Sequence, residues 1–389
     1  MSEGNDGSPA SQRDAVVPGL RSEERGTSEG ATREGAAPGR TGGERDSRVL
    51  RGSSEPLAVR YDVALLDLDG VVYLGGHPIA GAADALEKAI ASGMRLAFVT
   101  NNASRTPSAI AAQLTGLGVP ARTTDVITSA QAAARLLAER LPPGAPVLVV
   151  GGIGLRSAVR ERGLRPVSVA SEHPAAVVQG YAPGLTYELL AEGALAVAAG
   201  AWYVASNADA TLPTPRGRQP GNGSLIQVIV TATGRSPVVA GKPEPPLHAE
   251  AVARSGARHP LVVGDRLDTD IESAVRSGAD SMLVLTGVTR PVDVVLAAPQ
   301  HRPTYLAEGL AGLLVPHPAV TATGDGFGCG GWLARREDRG GIVLSGSGAG
   351  MDGLRALCAA AWSGAALSAE QAAAAVSALD LPSPPGVPG

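Results

Sequence analysis

The sequence predicts an α/β fold built on a parallel sheet, and two observations carry that reading. From Tyr61 to about Leu314, short apolar runs alternate with stretches of helical period, the pattern of repeated βα units. Several of those runs stop abruptly at acids, glycines or hydroxyl residues, and an open parallel sheet carries its active groups at such strand ends.

The chain has 389 residues, enough for two or three domains, and its 44% hydrophobic content supplies a sizeable core. Up to about Glu55 it is mostly Gly, Ser, Glu and Arg, which bury too little surface to compensate for ordering, so residues 1–57 read as a disordered tail. YDVALLDLDGVV, from Tyr61, reads as a strand ending in acids and a glycine. The helix-like ADALEKAIAS follows, then the strand RLAFVT and a helix from Pro107 to about Leu117. PVLVVGG, AAVVQGY and WYVASN are further strands separated by helical stretches. VVAG, the strand PLVVGD, the helix DIESAVRSG and the strand SMLVLTG complete the series.

Beyond Pro318 a separate piece begins. GDGFGCGG reads as a flexible loop, GGIVLSG as a strand and MDGLRALCAAAW as a helix. AALSAEQAAAAVSAL reads as a second helix, with Ser368 capping Glu370 and the residues after it, and LPSPPGVPG as a frayed end. Nothing in this piece names a ligand; a binding or oligomerisation module is the expectation.

Composition narrows the function. A net charge of -4 and 3% aromatics argue against a nucleic-acid partner or an anionic membrane surface. No run approaches the roughly 18 apolar residues of a membrane span, and MSEGNDGSPASQRD lacks the features of an export signal, so a cytoplasmic protein is expected. Cys329 and Cys358 are expected to be reduced, packed thiols. The six histidines, His77, His173, His248, His259, His301 and His317, show no pairing and suggest surface or packing roles. Of 33 basic residues only Lys88 and Lys242 are lysines. Lys88 suits an exposed helix, whereas Lys242 follows an apolar strand.

The strand ends supply one coherent set. The first strand ends in Asp67, Asp69 and Gly70, the second in Thr100, Asn101 and Asn102; Lys242 follows a later strand, and Asp265 closes PLVVGD with Asp270 close behind. Carboxylates crowded at one edge repel, and a hard divalent cation with oxygen ligands, Mg²⁺, removes the conflict. The cation, the lysine and the threonine hydroxyl suit the spread charge of a transferring phosphoryl group. A carboxylate nucleophile divides a slow hydrolysis into two transfers through an aspartyl-phosphate, and an acid two residues on can serve as general acid and base. DLDG, TNN or GKP alone would be an ordinary turn; their joint occurrence, each at a strand end, is what carries weight.

DLDGVVY, VTNNAS, AGKPEP and VVGDRLDTDI together resemble the four motifs of haloacid-dehalogenase (HAD) superfamily phosphatases, in detail subfamily IIA, the NagD-like and p-nitrophenylphosphatase-like group. VTNNASR, VITSAQ, TLPTPRG, PGNGS, LVVGDRLDTDIE and SMLVLTGV are similar to actinobacterial glycerol-3-phosphate phosphatases within it. The resemblance implies a HAD-like Rossmannoid core over 58–130 and 235–315, an inserted α/β cap of the C2 type over 131–234, and a small C-terminal appendage over 316–389. It implies Asp67 as nucleophile and metal ligand, and Asp69 as acid/base and backbone-carbonyl ligand. Asp265 would complete the metal shell, and Asp270 would orient it. Lys242 would pair with Asp67 and the phosphate, and Thr100, Asn101 and Asn102 would bind the phosphoryl group. SNADATLPT is similar to the family's cap loop, which makes Asn207, Asp209 and Pro213 candidates for lining the pocket, each of which could equally belong to an ordinary polar turn. The acid that often follows the cap-strand glycine is replaced here, since Tyr181 follows Gly180.

The implied activity is Mg²⁺-dependent hydrolysis of a small phosphomonoester, glycerol 3-phosphate foremost, with phosphoglycolate, nucleotide and sugar phosphates as rivals. A homo-oligomer is left open. Receiver domains also combine acids, Mg²⁺, a hydroxyl and a lysine, but their phosphorylated aspartate ends a later strand.

Overall fold

The computed structural model describes residues 50–381 except 215, 338 and 339, and the side chain of Pro213 is likewise outside the description. The expected tail up to residue 49 and the proline-rich end from residue 382 therefore lie outside the described residues.

The core is a six-stranded sheet in the order Tyr305–Ala307, Asp280–Val284, Pro260–Gly264, Val63–Leu66, Arg95–Thr100, Val126–Thr128, with every neighbouring pair parallel. Val63–Leu66 lies inside the sheet and all four of its residues are buried, as a strand covered on both faces requires. Leu66 pairs with both Phe98 and Val263, so the next residue, Asp67, leaves the sheet just before Thr100 and Asp265 do on either side. The chain first adds strands to one side of Val63–Leu66 and later to the other. That reversal opens a crevice at the strand ends.

Between the two runs of core strands lies the cap, a five-stranded sheet ordered Val238–Val239, Trp202–Ala205, Ala176–Gln179, Pro146–Val150, Arg165–Val167, also parallel throughout. The strand VVAG is its edge, pairing with Val204 and Ala205, so the cap sheet delivers the chain directly to Lys242. The helix Ser129–Arg140 is started by a capping box of Thr128 and Gln131. Its Ala130, Ala133 and Leu137 join one apolar cluster that includes Val63, Leu65 and Val99 of the core with Val147, Val149 and Val178 of the cap. Shared burial on this scale fixes the cap to the core rather than leaving it on a loose tether.

Three expectations are corrected by the structure. GDGFGCGG is not a flexible loop: Gly326–Cys329 is a strand paired on both sides in the antiparallel sheet Thr321–Thr323, Gly326–Cys329, Trp332–Arg336, Ile342–Gly346. Gly326 has φ 151°, and a Cβ there would sit 2.2 Å from the Ala334 carbonyl oxygen, so this glycine serves close strand approach. The second C-terminal helix, Ala369–Val376, is capped by Ser368 as expected, but its Oγ accepts from Gln371, whose side chain returns the bond; Glu370 is not the partner. The tail does not extend to residue 57: Leu50 is buried, Arg51 N–H donates to the Thr304 carbonyl at 2.9 Å, and Ser53 and His317 exchange backbone bonds. A few apolar side chains suffice to anchor a stretch whose average composition is polar.

The C-terminal piece is not detached. Leu354, Leu357, Cys358 and Trp362 of the helix Gly350–Trp362 share an apolar cluster with Leu283, Leu285, Val294 and Leu306, covering the sheet edge formed by Tyr305–Ala307. Arg355 Nη2 donates to the Leu306 carbonyl at 2.6 Å. Both cysteines are free and buried, as expected. Among the described residues no helix is long and apolar enough to cross a membrane.

Candidate active site

The crevice at the strand ends gathers residues from four stretches of sequence. Lys242, only 7% exposed, donates through Nζ to Asp67 Oδ1, to Asp270 Oδ1 at 2.7 Å and to the Val99 carbonyl at 3.2 Å, which uses all three of its protons. Burial disfavours the ammonium, but the carboxylates of Asp270 and Asp67 more than compensate, so its pKa is raised and the lysine stays charged.

Asp67, Asp265 and Asp270 offer carboxylate oxygens that all lie within 4.8 Å of one another. Burial pushes the Asp67 carboxyl up to about 7, against the pull of Lys242 and with Asp270 adding repulsion. Asp265 is raised well above the ordinary carboxylate range by burial and then by Asp270 and Asp67. Its Oδ2 accepts from the Val288 N–H at 2.7 Å, while its buried Oδ1 has no partner. A Cβ at Gly70 would lie 2.5 Å from Asp265 Oδ2 and one at Gly287 only 2.0 Å from it, so both glycines let the backbone close around this carboxylate. Three acids against one ammonium, with a buried oxygen unsatisfied, suit a hard divalent cation.

Asp69 lies on the exposed side of the same turn, where Gly70 N–H donates to the Tyr73 carbonyl at 2.7 Å. Its carboxylate accepts from the backbone of Gly75 and is not part of the three-acid cluster. Asp270 belongs to that cluster and is also a direct partner of Lys242, a closer placement than a purely orienting role required.

The loop after Arg95–Thr100 is built by its own side chains. Thr100 is buried, and its Oγ1 accepts from the Asn102 N–H at 3.1 Å. Asn102 Oδ1 accepts from the backbone of Ser104 and Arg105 and from Ser104 Oγ, so this side chain closes its own turn. Asn101 faces the cap: Asn207 Nδ2 donates to its carbonyl at 2.8 Å, and its Nδ2 lies 3.2 Å from both oxygens of Asp209. Asp209 is raised by burial, partly relieved by Asn101 and Arg266. Pro213 pairs through its backbone with Arg218 in the hairpin Thr211–Thr214/Gly217–Pro220. Thus Asp67, Lys242, Asp265 and Asp270 meet directly, with Asn101, Asn207 and Asp209 forming an adjoining polar group.

Several contributors escape sequence reasoning. Asn222 Nδ2 donates to the Asn207 carbonyl at 2.7 Å, and Ser129 Oγ to the Asn101 carbonyl at 2.6 Å. Thr286 Oγ1 donates to the Gly70 carbonyl at 2.6 Å, fixing the turn between Asp69 and Val71. The signals were present: PGNGS sets Asn222 between two glycines, and SMLVLTG places Thr286 and Gly287 at another strand end. Gly180 is also explained, since a Cβ there would lie 2.8 Å from Ser206 Oγ.

The sheet order and this cluster define the class. Residues 64–165 match the haloacid dehalogenase-like hydrolase family and residues 239–313 a second HAD-hydrolase-like pattern; the chain belongs to the haloacid dehalogenase-like hydrolases. It is 51% identical over 257 residues to the D-glycerol 3-phosphate phosphatase of Mycobacterium tuberculosis, covering 66% of this chain and 72% of that protein. It is 37% identical over 252 residues to the 5'-nucleotidase YutF of Bacillus subtilis, covering 64% of this chain and 96% of the other. Among solved structures it superposes on a Mycobacterium tuberculosis glycerol phosphate phosphatase in complex with magnesium, with TM-score 0.76, 44% identity, and coverage of 84% and 99% of the two chains. Residues 329–381 match a GCN5-related N-acetyltransferase-like domain.

Proposed function

We propose that this chain is a Mg²⁺-dependent phosphatase that hydrolyses small phosphomonoesters through an aspartyl-phosphate on Asp67, with glycerol 3-phosphate as its preferred substrate. The observation that carries the reading is Lys242 Nζ, held between Asp67 and Asp270 beside the unpartnered oxygen of Asp265. The substrate assignment rests on the 51% identity to an enzyme of that name.

Residues 58–130 and 240–315 serve as the catalytic core and 316–381 as an appendage. The cap that chooses the leaving group runs from 131 through its edge strand Val238–Val239, past the boundary at 234 expected from the sequence, because that strand pairs with Val204 and Ala205. The carboxylates of Asp67 and Asp265 and the carbonyl of Asp69 would hold the cation, which supplies charge neutralisation and orientation when bound. Asp67 attacks phosphorus as the ester P–O bond breaks, and Asp69 gives its proton to the departing alkoxide. Asp69 then takes a proton from water, whose oxygen attacks phosphorus and frees Asp67 and inorganic phosphate. Lys242 stays protonated throughout and faces the charge that builds on the phosphoryl oxygens. The Thr100 hydroxyl and the Asn101 N–H bind those oxygens; Asn102 contributes by shaping the loop. A cytoplasmic setting is part of the proposal.

The test is phosphate release from a panel of metabolite phosphates, with and without EDTA. Stoichiometric alcohol and phosphate from glycerol 3-phosphate, abolished by EDTA, is the expected result. Retained phosphate without alcohol product would instead indicate a phospho-acceptor domain.

A further inference from the structure

The side chain of Asn101 makes a set of contacts that phosphate binding does not use. Its Oδ1 accepts from the Lys242 N–H at 2.8 Å and its Nδ2 donates to the Lys242 carbonyl at 3.1 Å, so one amide grips both main-chain polar groups of the same residue. Nδ2 also lies 3.2 Å from each of the two Asp209 oxygens, which share its remaining proton. Only this orientation of the amide gives every partner its complement: an N–H meets the oxygen, and the carbonyl and carboxylate meet the NH₂ group. Gly241 makes the approach feasible, because a Cβ there would lie 2.5 Å from Asn101 Oδ1.

Lys242 is thus fixed at both ends. Its main chain is held by Asn101, and its Nζ is held by Asp67, Asp270 and the Val99 carbonyl. Asp209 belongs to the loop after the cap strand Trp202–Ala205, and that loop is itself braced: Asp209 N–H donates to Asn207 Oδ1 at 3.2 Å, and Asn222 donates to the Asn207 carbonyl. A Cβ at Gly221 would lie 2.2 Å from the Asp209 carbonyl oxygen and one at Gly223 2.3 Å from that of Ala208, so the helix Asn222–Thr233 presses directly on the loop.

We propose that Asn101 is a positioning residue through which the cap-loop carboxylate Asp209 holds Lys242 in register with the nucleophile Asp67. The inference rests on the phosphatase reading and adds a contribution of the cap to the chemical step itself. Asp209 polarises and orients the Asn101 amide, the amide sets the Lys242 backbone, and the backbone sets where the ammonium meets Asp67 and the phosphoryl oxygens. Small displacements of such a group cost disproportionately in rate.

The experiment compares wild type, Asn101→Ala, Asp209→Ala, Asp209→Asn and the double alanine variant on glycerol 3-phosphate and on p-nitrophenyl phosphate, which has no hydroxyl for the cap to recognise. A positioning role predicts that Asp209→Ala lowers kcat by about 10-fold on both esters with KM little changed, and that Asn101→Ala lowers it by about 10²-fold. The double variant should be no slower than Asn101→Ala, because the two act as one unit. Asp209→Asn should recover most of the loss, since its amide oxygen accepts the same bond. If Asp209→Ala raises only the KM for glycerol 3-phosphate, or if the two effects multiply, the proposal is overturned and Asp209 is a substrate contact alone. A wild type inert toward both esters would overturn the phosphatase reading, and the positioning role with it.

Discussion

Glu250, buried on the core helix Pro245–Ser255, accepts from Arg162 Nη2 at 2.6 Å, and Arg162 ends the cap helix Ile153–Glu161. Arg254 on its own helix and Arg135 on Ser129–Arg140 converge on the same carboxylate. One acid therefore ties three helices together across the junction of the two sheets, away from the catalytic crevice. A buried carboxylate is tolerated because several guanidinium groups surround it.

Glu250→Gln removes the charge that the arginines share. Hydrogen bonds to charged groups typically contribute about 1.5–3 kcal/mol, so a loss of about 2 kcal/mol is expected in urea denaturation. The kcat of the folded fraction should stay near wild type. Unchanged stability would show that Glu250 is not the tie the geometry suggests.

Lys242→Arg tests shape against charge at the nucleophile. The ammonium points its three protons at Asp67, Asp270 and the Val99 carbonyl in a buried site. A planar guanidinium cannot reproduce that arrangement, and steady-state assays should show kcat down by about 10²-fold or more. Rates within a few-fold of wild type would mean that positive charge alone suffices.

The two cysteines give a pH-dependent prediction. Burial pushes the Cys329 thiol up to about 11, with Asp352 adding to the effect, and raises buried Cys358 further. A raised thiol pKa leaves the reactive thiolate scarce below that value. A disulfide reagent at pH 8 should therefore label neither thiol in the native protein and both after denaturation. Rapid native labelling would contradict the packing of Gly350–Trp362 against the core.

Much of the site was legible because the chemistry sits at strand ends, and apolar runs broken by Asp, Thr-Asn or Gly-Lys mark those ends in one dimension. Asp67 and Asp265 meet because parallel pairing of Val63–Leu66 with Pro260–Gly264 is dictated by buried aliphatic runs, and Lys242 joins them from the end of the cap edge strand Val238–Val239. What stayed hidden depended on three-dimensional neighbours. Val126–Thr128 and Tyr305–Ala307 are three residues long, too short to show a period. The strand Gly326–Cys329 was masked by its two glycines, of which Gly326 serves close approach to Ala334 and Arg335. The grip of Asn101 on Lys242 spans 141 positions and uses a side chain whose neighbours suggest only a turn. Leu50 was lost in a polar average, although one buried leucine and the ion pair of Arg51 with Asp280 anchor that stretch.

The claim on which the account turns is that Asp67 itself carries the phosphoryl group. Rapid mixing of enzyme, Mg²⁺ and glycerol 3-phosphate, quenched into borohydride, reduces an acyl phosphate to an alcohol, so the modified residue can be found by peptide mass spectrometry. The account predicts homoserine at position 67 and at no other acid, dependent on substrate and absent in Asp67→Asn. Reduction at Asp69 or Asp265, or steady turnover by Asp67→Asn, would contradict it.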